Sequence, residues 1–514
     1  MNERKKYYLG LDNGGTTTKA ALFTPDGKEV AVARVDTASI TVQSDFAERD
    51  MEEMWRANCA VIRHVLAKSG VQNTDIAGVG ICGHGKGLYL WGKNGKPVRK
   101  GILSSDNRAY EYSARWQKDG TEQKAFKLSC QHVLACQPVA LLAWLRDRES
   151  DSYVDIQWVF ECKDYVRFRM TGKACAELTD YSGSGLINLH TRSYDPALLK
   201  LFGIEAVADK LPPLCRSSDV CGVVTEEAAK ECGLAAGTPV IGGMFDIDSC
   251  ALAAGVVDET KLIVVAGTWS INGYIAAEPV TDGSVRMNSL FCIPDRYFIE
   301  ESSATSAGNL TWVVQELFPE LIEKAERNNE NVYKRLDETV ASVLPQEHLP
   351  LYLPFVMGSN AHPNAKACFL GISASHKRAH VLRGVYEGIV FCHRVHIDRL
   401  AVGAQKPFSV VRLTGGAANS PLWAQMFADI LGLPVEITDA HEAGALGCAM
   451  AVSAAVGDSP SLAAASEKMC RIVARFEPDV RNKKSYDARY ALYKKAAELL
   501  NPLWDDFQHS AVSN

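Results

Sequence analysis

The sequence predicts an α/β protein built from two related domains. Three observations carry that expectation. Apolar strand-like runs alternate with helix-like periodicity from end to end. A strand, Gly-rich turn, strand unit occurs near the start and again near the middle. The chain has 514 residues, room for two or more domains at ~100–200 residues each.

The first unit is the strand Tyr7-Tyr8-Leu9-Gly10-Leu11-Asp12-Asn13, a Gly14-Gly15 turn, and a β-favouring run from Thr16 to Phe23. Pro25-Asp26-Gly27 makes the next turn, and Val30 to Ala33 continues as a third strand. The second unit is Lys261 to Ala266, a Gly267-Thr268 turn, and Ser270 to Ile275. The boundary is expected between Ala254 and Asp258, dividing the chain into 1–256 and 257–514. Small apolar residues from Ala443 to Val456 read as a buried helix. Ser485 to Leu500 reads as an amphipathic one.

Composition narrows the function classes. Hydrophobic residues are 47% and charged residues 23%, which excludes a disordered chain or a disulfide-stapled miniprotein. Lys and Arg number 55 against 61 Asp and Glu, for a net charge of −6. No global basic excess exists to hold nucleic acid or an anionic membrane. The first ten residues lack the apolar core of a secretory signal, and no run of ~18 apolar residues occurs. A cytoplasmic location is expected. The 15 cysteines are scattered with no C-x-x-C pair, so reduced thiols fit better than a disulfide framework or a zinc ribbon.

The two Gly-Thr turns suit one task, gripping a phosphate chain. Glycine lets the backbone approach an anion, and threonine adds a hydroxyl donor. Candidate ATP contacts are Gly14, Gly15, Thr16, Thr17 and Lys19 in the first turn, and Gly267 and Thr268 in the second. Asp12, ending the first strand, is a candidate for a water-clad magnesium ion. No Walker A loop or dinucleotide fingerprint is present. A third segment runs from Val410 through Gly415-Gly416 to a helix start, with Asn419 or Ser420 as N-cap and Pro421 in the first position. Its small residues Gly415 and Gly416, with Asn419, would suit adenine and ribose.

The candidate catalyst follows the strand ending in Gly242-Gly243. Asp246 could accept the proton of an attacking hydroxyl. It could also serve only as a helix cap, and Asp248 competes for either role. Two polar loops after short apolar strands offer donors and acceptors for a polyhydroxy ligand: Gly83-His84-Gly85-Lys86-Gly87 and Ser104-Ser105-Asp106-Asn107-Arg108. His84, Lys86 and Asp106 are the candidate substrate contacts.

These segments, in this order, resemble the FGGY family of carbohydrate kinases, within the actin/hexokinase/Hsp70-like ATPase superfamily. The resemblance spans about Tyr7 to Leu500 and includes Lys163-Asp164-Tyr165-Val166-Arg167-Phe168-Arg169-Met170-Thr171-Gly172. It implies two actin-like, ribonuclease-H-like domains around a central cleft, the first mainly holding sugar and the second mainly ATP. It implies ATP and Mg2+ as cofactors, Asp246 as general base and Asp12 as the magnesium-associated carboxylate, with Asp246 also near the metal. The loops look most like the branch of the family acting on L-xylulose, on Gly85-Lys86-Gly87, Ser104-Ser105-Asp106, Phe245-Asp246 and Gly267-Thr268-Trp269. D-Xylulose kinases carry Met-His-Gly and Trp-Asn-Asp-Gly-Arg at the two loops. The expected reaction is transfer of phosphate from ATP to a small ketose, L-xylulose giving its 5-phosphate. D-Xylulose, L-ribulose or erythritol as acceptor, or a non-catalytic sensor on the same scaffold, are the alternatives. The expected partners are the sugar or polyol and ATP, not nucleic acid or membrane, and a homodimer is admitted.

Two other clusters are expected to be structural. His393 and His396 share a helix face without further metal ligands. Lys163, Arg167 and Arg169 read as a solvated or salt-bridged helix face.

Overall fold

A computed structural model describes residues 6–43 and 46–510. Its contacts divide the chain into two units. One runs to Val257 and takes in Ile275–Phe298 and Ala440–Cys470. The other comprises Asp258–Tyr274, Ile299–Asp439 and the chain from Arg471 on.

In the first unit the sheet runs Glu29–Asp36, Thr17–Phe23, Tyr7–Asn13, Ile76–Gly83, Pro239–Ile241, Val220–Val223. From Thr17–Phe23 onward the pairings are antiparallel, parallel, parallel, antiparallel. In the second unit Ser270–Ala276, Lys261–Ala266, Val410–Thr414, Val435–Thr438 and Ile472–Phe476 repeat the same sequence of pairings. The strand–turn–strand repeat in the sequence is therefore one piece of a larger repeated topology. The rest of that repeat is spread over segments with no local similarity.

Helix Met51–Ser69 covers one face of the first sheet. Met54, Trp55, Ile62 and Val65 recur at helical spacing and are buried against Leu9, Leu22 and Val79. Asp50 caps its start by accepting the Glu53 N–H at 2.8 Å, and Gly70, at φ 67°, ends it. A second core, centred on Leu141, Leu142, Trp116 and Phe202, belongs to the insertion after the fourth strand.

The first unit is not a contiguous half of the chain. Helix Ala443–Ala455 is buried as the sequence predicts, but it packs on Tyr7–Asn13 and Ile76–Gly83. The approach is backbone to backbone: a Cβ on Gly10 would lie 2.1 Å from the Ala445 carbonyl oxygen. Segment Ile275–Phe298 is tied in by side-chain hydrogen bonds. Asn288 donates its side-chain amide to the Cys130 carbonyl at 2.7 Å, and its own carbonyl accepts from Gln131 at 2.6 Å.

The C-terminal helix spans Val480–Ser510, longer than its predicted amphipathic part, and docks through Tyr486, Tyr490 and Tyr493. His393 and His396 are buried packing residues. His393 meets Ser270, Asn272 and Ser306, and His396 meets Ser303. Among the described residues no helix is long and apolar enough to cross a membrane.

Candidate active site

Three parallel strand ends gather the predicted residues in the first unit. Tyr7–Asn13 and Ile76–Gly83 are in register at Asn13 and Gly83, and Met244–Phe245 pairs with the same end at Cys82 and Gly83. The residues that leave these ends are the Gly14-Gly15 turn, the 83–87 loop and Asp246. Ligands of open α/β sheets bind at such carboxyl ends.

The Gly14-Gly15 turn is held from below. Buried Arg49 donates to the carbonyls of Gly14, at 3.0 Å, and Gly15, and the Thr37 N–H donates to the Thr16 carbonyl at 2.8 Å. Gly15 and Thr16 are exposed at the tip. Across the hairpin, Asp12 faces Lys19. The Lys19 ammonium is 2.8 Å from Glu442, a residue next to helix Ala443–Ala455. That helix also presses on Asp12: a Cβ on Gly444 would lie 2.9 Å from its carboxylate.

The turn before Asp246 needs glycine. Gly243 has φ 73°, and a Cβ there would stand 1.9 Å from the Ile81 carbonyl oxygen. Asp246 opens helix Asp246–Ala253 and is half-buried. Asp248 is fully buried, and its carboxylate accepts the Cys292 N–H at 2.9 Å. Two residues along a helix turn a side chain by about 200°. Asp248 therefore anchors segment 290–293, while Asp246 stays at the strand ends.

Lys86, with φ 63°, brings its ammonium 5.4 Å from the Phe245 ring, next to Asp246. The 83–87 and 103–108 loops adjoin, since a Cβ on Gly87 would meet the Ile102 carbonyl oxygen at 2.3 Å. The two other candidate sugar contacts also have partners within the protein. His84 is buried with Nε2 2.9 Å from the Tyr89 hydroxyl. Asp106 accepts from Ala47 N–H and from the Arg108 N–H, Nε and Nη2, at 2.7–2.9 Å. A carboxylate offers about four lone-pair sites. In this arrangement Asp106 fixes its loop.

In the second unit the other two ATP segments meet. A Cβ on Gly415 would lie 2.7 Å from the Ala266 carbonyl and 3.0 Å from the Gly267 N. Thr268 is exposed at the hairpin tip and approaches Gly308 at the start of helix Ala307–Leu317. After Gly416–Asn419, Ser420 supplies the N-cap, accepting the Trp423 N–H at 3.0 Å, and Pro421 takes the first helical position. Gly416 and Asn419 line a cavity of about 720 Å³ with Tyr333, Asp337, Tyr386 and Trp423. That volume is ample for a drug-sized ligand, which typically needs ~300–1,000 Å³.

The profile described as the FGGY family of carbohydrate kinases, N-terminal domain, matches residues 7–253, and its C-terminal counterpart matches 262–456. The chain belongs to the FGGY family of carbohydrate kinases. It is a sugar kinase, a phosphotransferase that binds ATP. A probable L-xylulose kinase of Pasteurella multocida (strain Pm70) is 37% identical, covering 97% of this chain and 99% of that protein. The L-xylulose/3-keto-L-gulonate kinase of Escherichia coli (strain K12) is 37% identical over 95% and 96%. The solved structure of a ligand-bound xylulose kinase from Lactobacillus acidophilus superposes with a TM-score of 0.89 at 22% identity, covering 98% of this chain and 100% of that one. This is a likeness of fold.

The electrostatics of this kinase centre on carboxylates. Burial, then Asp12 and Asp180, push Asp246 well above the usual carboxylate range, and Lys86 partly offsets them. Burial also raises Asp12, against the pull of Lys19. Burial and then Arg49 push His84 down to about 4, so it is neutral at physiological pH.

Beneath the 83–87 loop lies a charged layer that the sequence reading missed. Lys163 is fully buried, with Asp164, Glu177 and Asp180 at 3.0–3.3 Å, and Arg167 pairs with Asp164 at 2.7 Å. The expected solvated or salt-bridged face of Lys163 and Arg167 is therefore an interior ion network, because the helix Cys162–Thr171 is covered on that side. Arg169 is only partly buried and pairs with Glu52. Burial and Asp180 raise Glu161 well above its usual range. The acid Glu161 accepts the Lys86 N–H at 3.2 Å. A signal existed in Glu177-Leu178-Thr179-Asp180, two carboxylates three positions apart, but the cation they share, Lys163, lies outside the segment.

Proposed function

We propose that this kinase phosphorylates L-xylulose to L-xylulose 5-phosphate, with Asp246 as general base. The observation that supports it most is the convergence of Asp12, the Lys86 loop and Asp246 at adjoining strand ends. The L-xylulose acceptor rests on relatives named for that sugar at 37% identity along nearly the whole chain.

In this reading the sugar lies against the 83–87 loop, oriented by Lys86, with His84 and Asp106 shaping the loops behind it. Asp246 accepts the proton of the attacking hydroxyl. The new oxygen–phosphorus bond forms at the γ-phosphorus as the bond to the ADP oxygen breaks, and the proton ends on Asp246. The raised pKa makes this carboxylate a stronger base than an ordinary aspartate. The tip residues Gly14 to Thr17, and Gly267 and Thr268, offer N–H and hydroxyl donors to the phosphates. The cavity lined by Gly416 and Asn419, next to Gly415, takes the adenosine. The first unit thus mainly serves the sugar and the second the nucleotide.

The Asp12 charge works against ionisation of Asp246, and a magnesium ion fits that carboxylate chemistry. When bound, magnesium supplies neutralisation of charge on the transferring group.

The test is a coupled ADP assay across pentuloses, hexuloses and polyols, with the product's phosphate position assigned by NMR. The proposal expects L-xylulose to give the highest kcat/KM and a 5-phosphate. A higher kcat/KM for D-xylulose or erythritol would overturn the acceptor. No sugar-dependent ADP from any acceptor would favour the sensor.

A further inference from the structure

Cys175, Cys215 and Cys221 come from three separate segments, yet their sulfur atoms all lie within 4.8 Å of one another. Cys175 precedes strand Ala176–Glu177, and Cys215 ends Leu214–Cys215, the parallel partner of that strand. Cys221 lies in Val220–Val223 at the sheet edge. All three are half-buried, within reach of a small ion.

The spacing suits a metal. A zinc–sulfur bond of ~2.3 Å sets the sulfurs of a trigonal or tetrahedral site about 3.8–4.0 Å apart. The cluster needs to close by less than about 1 Å. Arg167 Nη2 donates to the Cys175 carbonyl at 2.5 Å, which holds the first of the three segments in place. Arg167 is itself neutralised by Asp164 at 2.7 Å, so it adds little repulsion toward a cation.

We propose that Cys175, Cys215 and Cys221 form a three-thiolate site for a soft, thiophilic cation of the Zn2+ class. Three thiolates select such ions over magnesium or calcium. Each thiol that becomes a ligand releases its proton to solvent, with no change of oxidation state. The site lies behind the turn that carries Asp246. The Gly242 N–H donates to the Asp219 carbonyl at 2.9 Å, and the Gly243 N–H to the Ser217 carbonyl at 3.0 Å. Arg167 donates to the Gly242 carbonyl. An ion clamping Cys215 and Cys221 would stiffen the 215–221 loop on which this turn rests. The binding itself is independent of the acceptor and of the base assignment.

The test uses the full chain, reduced, chelator-treated and kept anaerobic, titrated with Co2+ and then Zn2+. One Co2+ per chain with a thiolate-to-metal charge-transfer band, displaced by Zn2+, is expected. Cys175→Ser, Cys215→Ser and Cys221→Ser should each weaken binding by more than the roughly 10–100-fold that loss of a supporting group costs. Cys368→Ser should leave it unchanged. Should a variant fail to fold, alkylation of the wild-type chain read by mass spectrometry decides: Zn2+ should protect these three cysteines and not Cys368. Absence of a thiolate band, a band unchanged by the three substitutions, or alkylation indifferent to Zn2+ would overturn the site.

Discussion

Asp246 and Asp248 show what a single residue's surroundings decide. A carboxylate after a Gly-Gly strand end was legible as a base, but spacing left the two aspartates equal. Burial and the Cys292 N–H separate them, and that amide comes from 44 positions away. Sequence separation likewise hid Glu442, the partner of Lys19 across 423 positions. The donors on Asp106 include a main-chain N–H from Ala47, 59 positions earlier, which no loop motif shows. A raised carboxyl pKa has a consequence for stability. A group whose folded pKa lies above its unfolded value contributes stability that is complete below the unfolded pKa and is lost as pH rises through the folded value. Asp246 is such a group. Asp246→Asn should therefore melt above wild type at alkaline pH, with the gap narrowing as pH falls into the ordinary carboxylate range. Thermal melts across pH check this, and a gap independent of pH would contradict it.

At the scale of elements, strands and turns with strong local chemistry were readable. The hairpins Tyr7–Phe23 and Lys261–Ala276 announce themselves by aromatic, apolar or β-branched runs around Gly turns, and helix Pro421–Leu431 by its Ser-Pro start. Helix Ala443–Ala455 was readable as buried because it is apolar all round, but apolarity does not name the surface it covers. Its glycines are the sign of that surface. Gly444 admits the helix onto Asp12, so the helix sets where that carboxylate stands. Gly444→Ala, with its Cβ 2.9 Å from the Asp12 oxygen, should lower kcat/KM about 10–100-fold by displacing it. Alanine is a better helix former than glycine, so the helix itself should persist. Steady-state kinetics beside circular dichroism check both, and unchanged kcat/KM would mean that Asp12 is not positioned by this contact.

For the whole molecule, the repeated five-strand pattern explains why two similar turns occur so far apart in one chain. Each unit presents its turn at the end of a central strand with a parallel neighbour. A single cut near residue 256 describes the order of the repeat but not the return of Ala440–Cys470 to the first unit. Chain crossings of that kind carry no local signal. A net charge of −6 also acquires a reason in the proposed reading. An anionic nucleotide is met by backbone N–H groups, threonine hydroxyls and a metal at the strand ends, and no basic surface is required. The most direct test of the account compares L-xylulose-dependent ADP formation by wild type and Asp246→Asn, with sugar and nucleotide affinities measured by calorimetry on both. The account predicts a fall in kcat of about 10²–10⁴-fold with both affinities retained within a few-fold. Near-wild-type turnover by the Asn variant would contradict it.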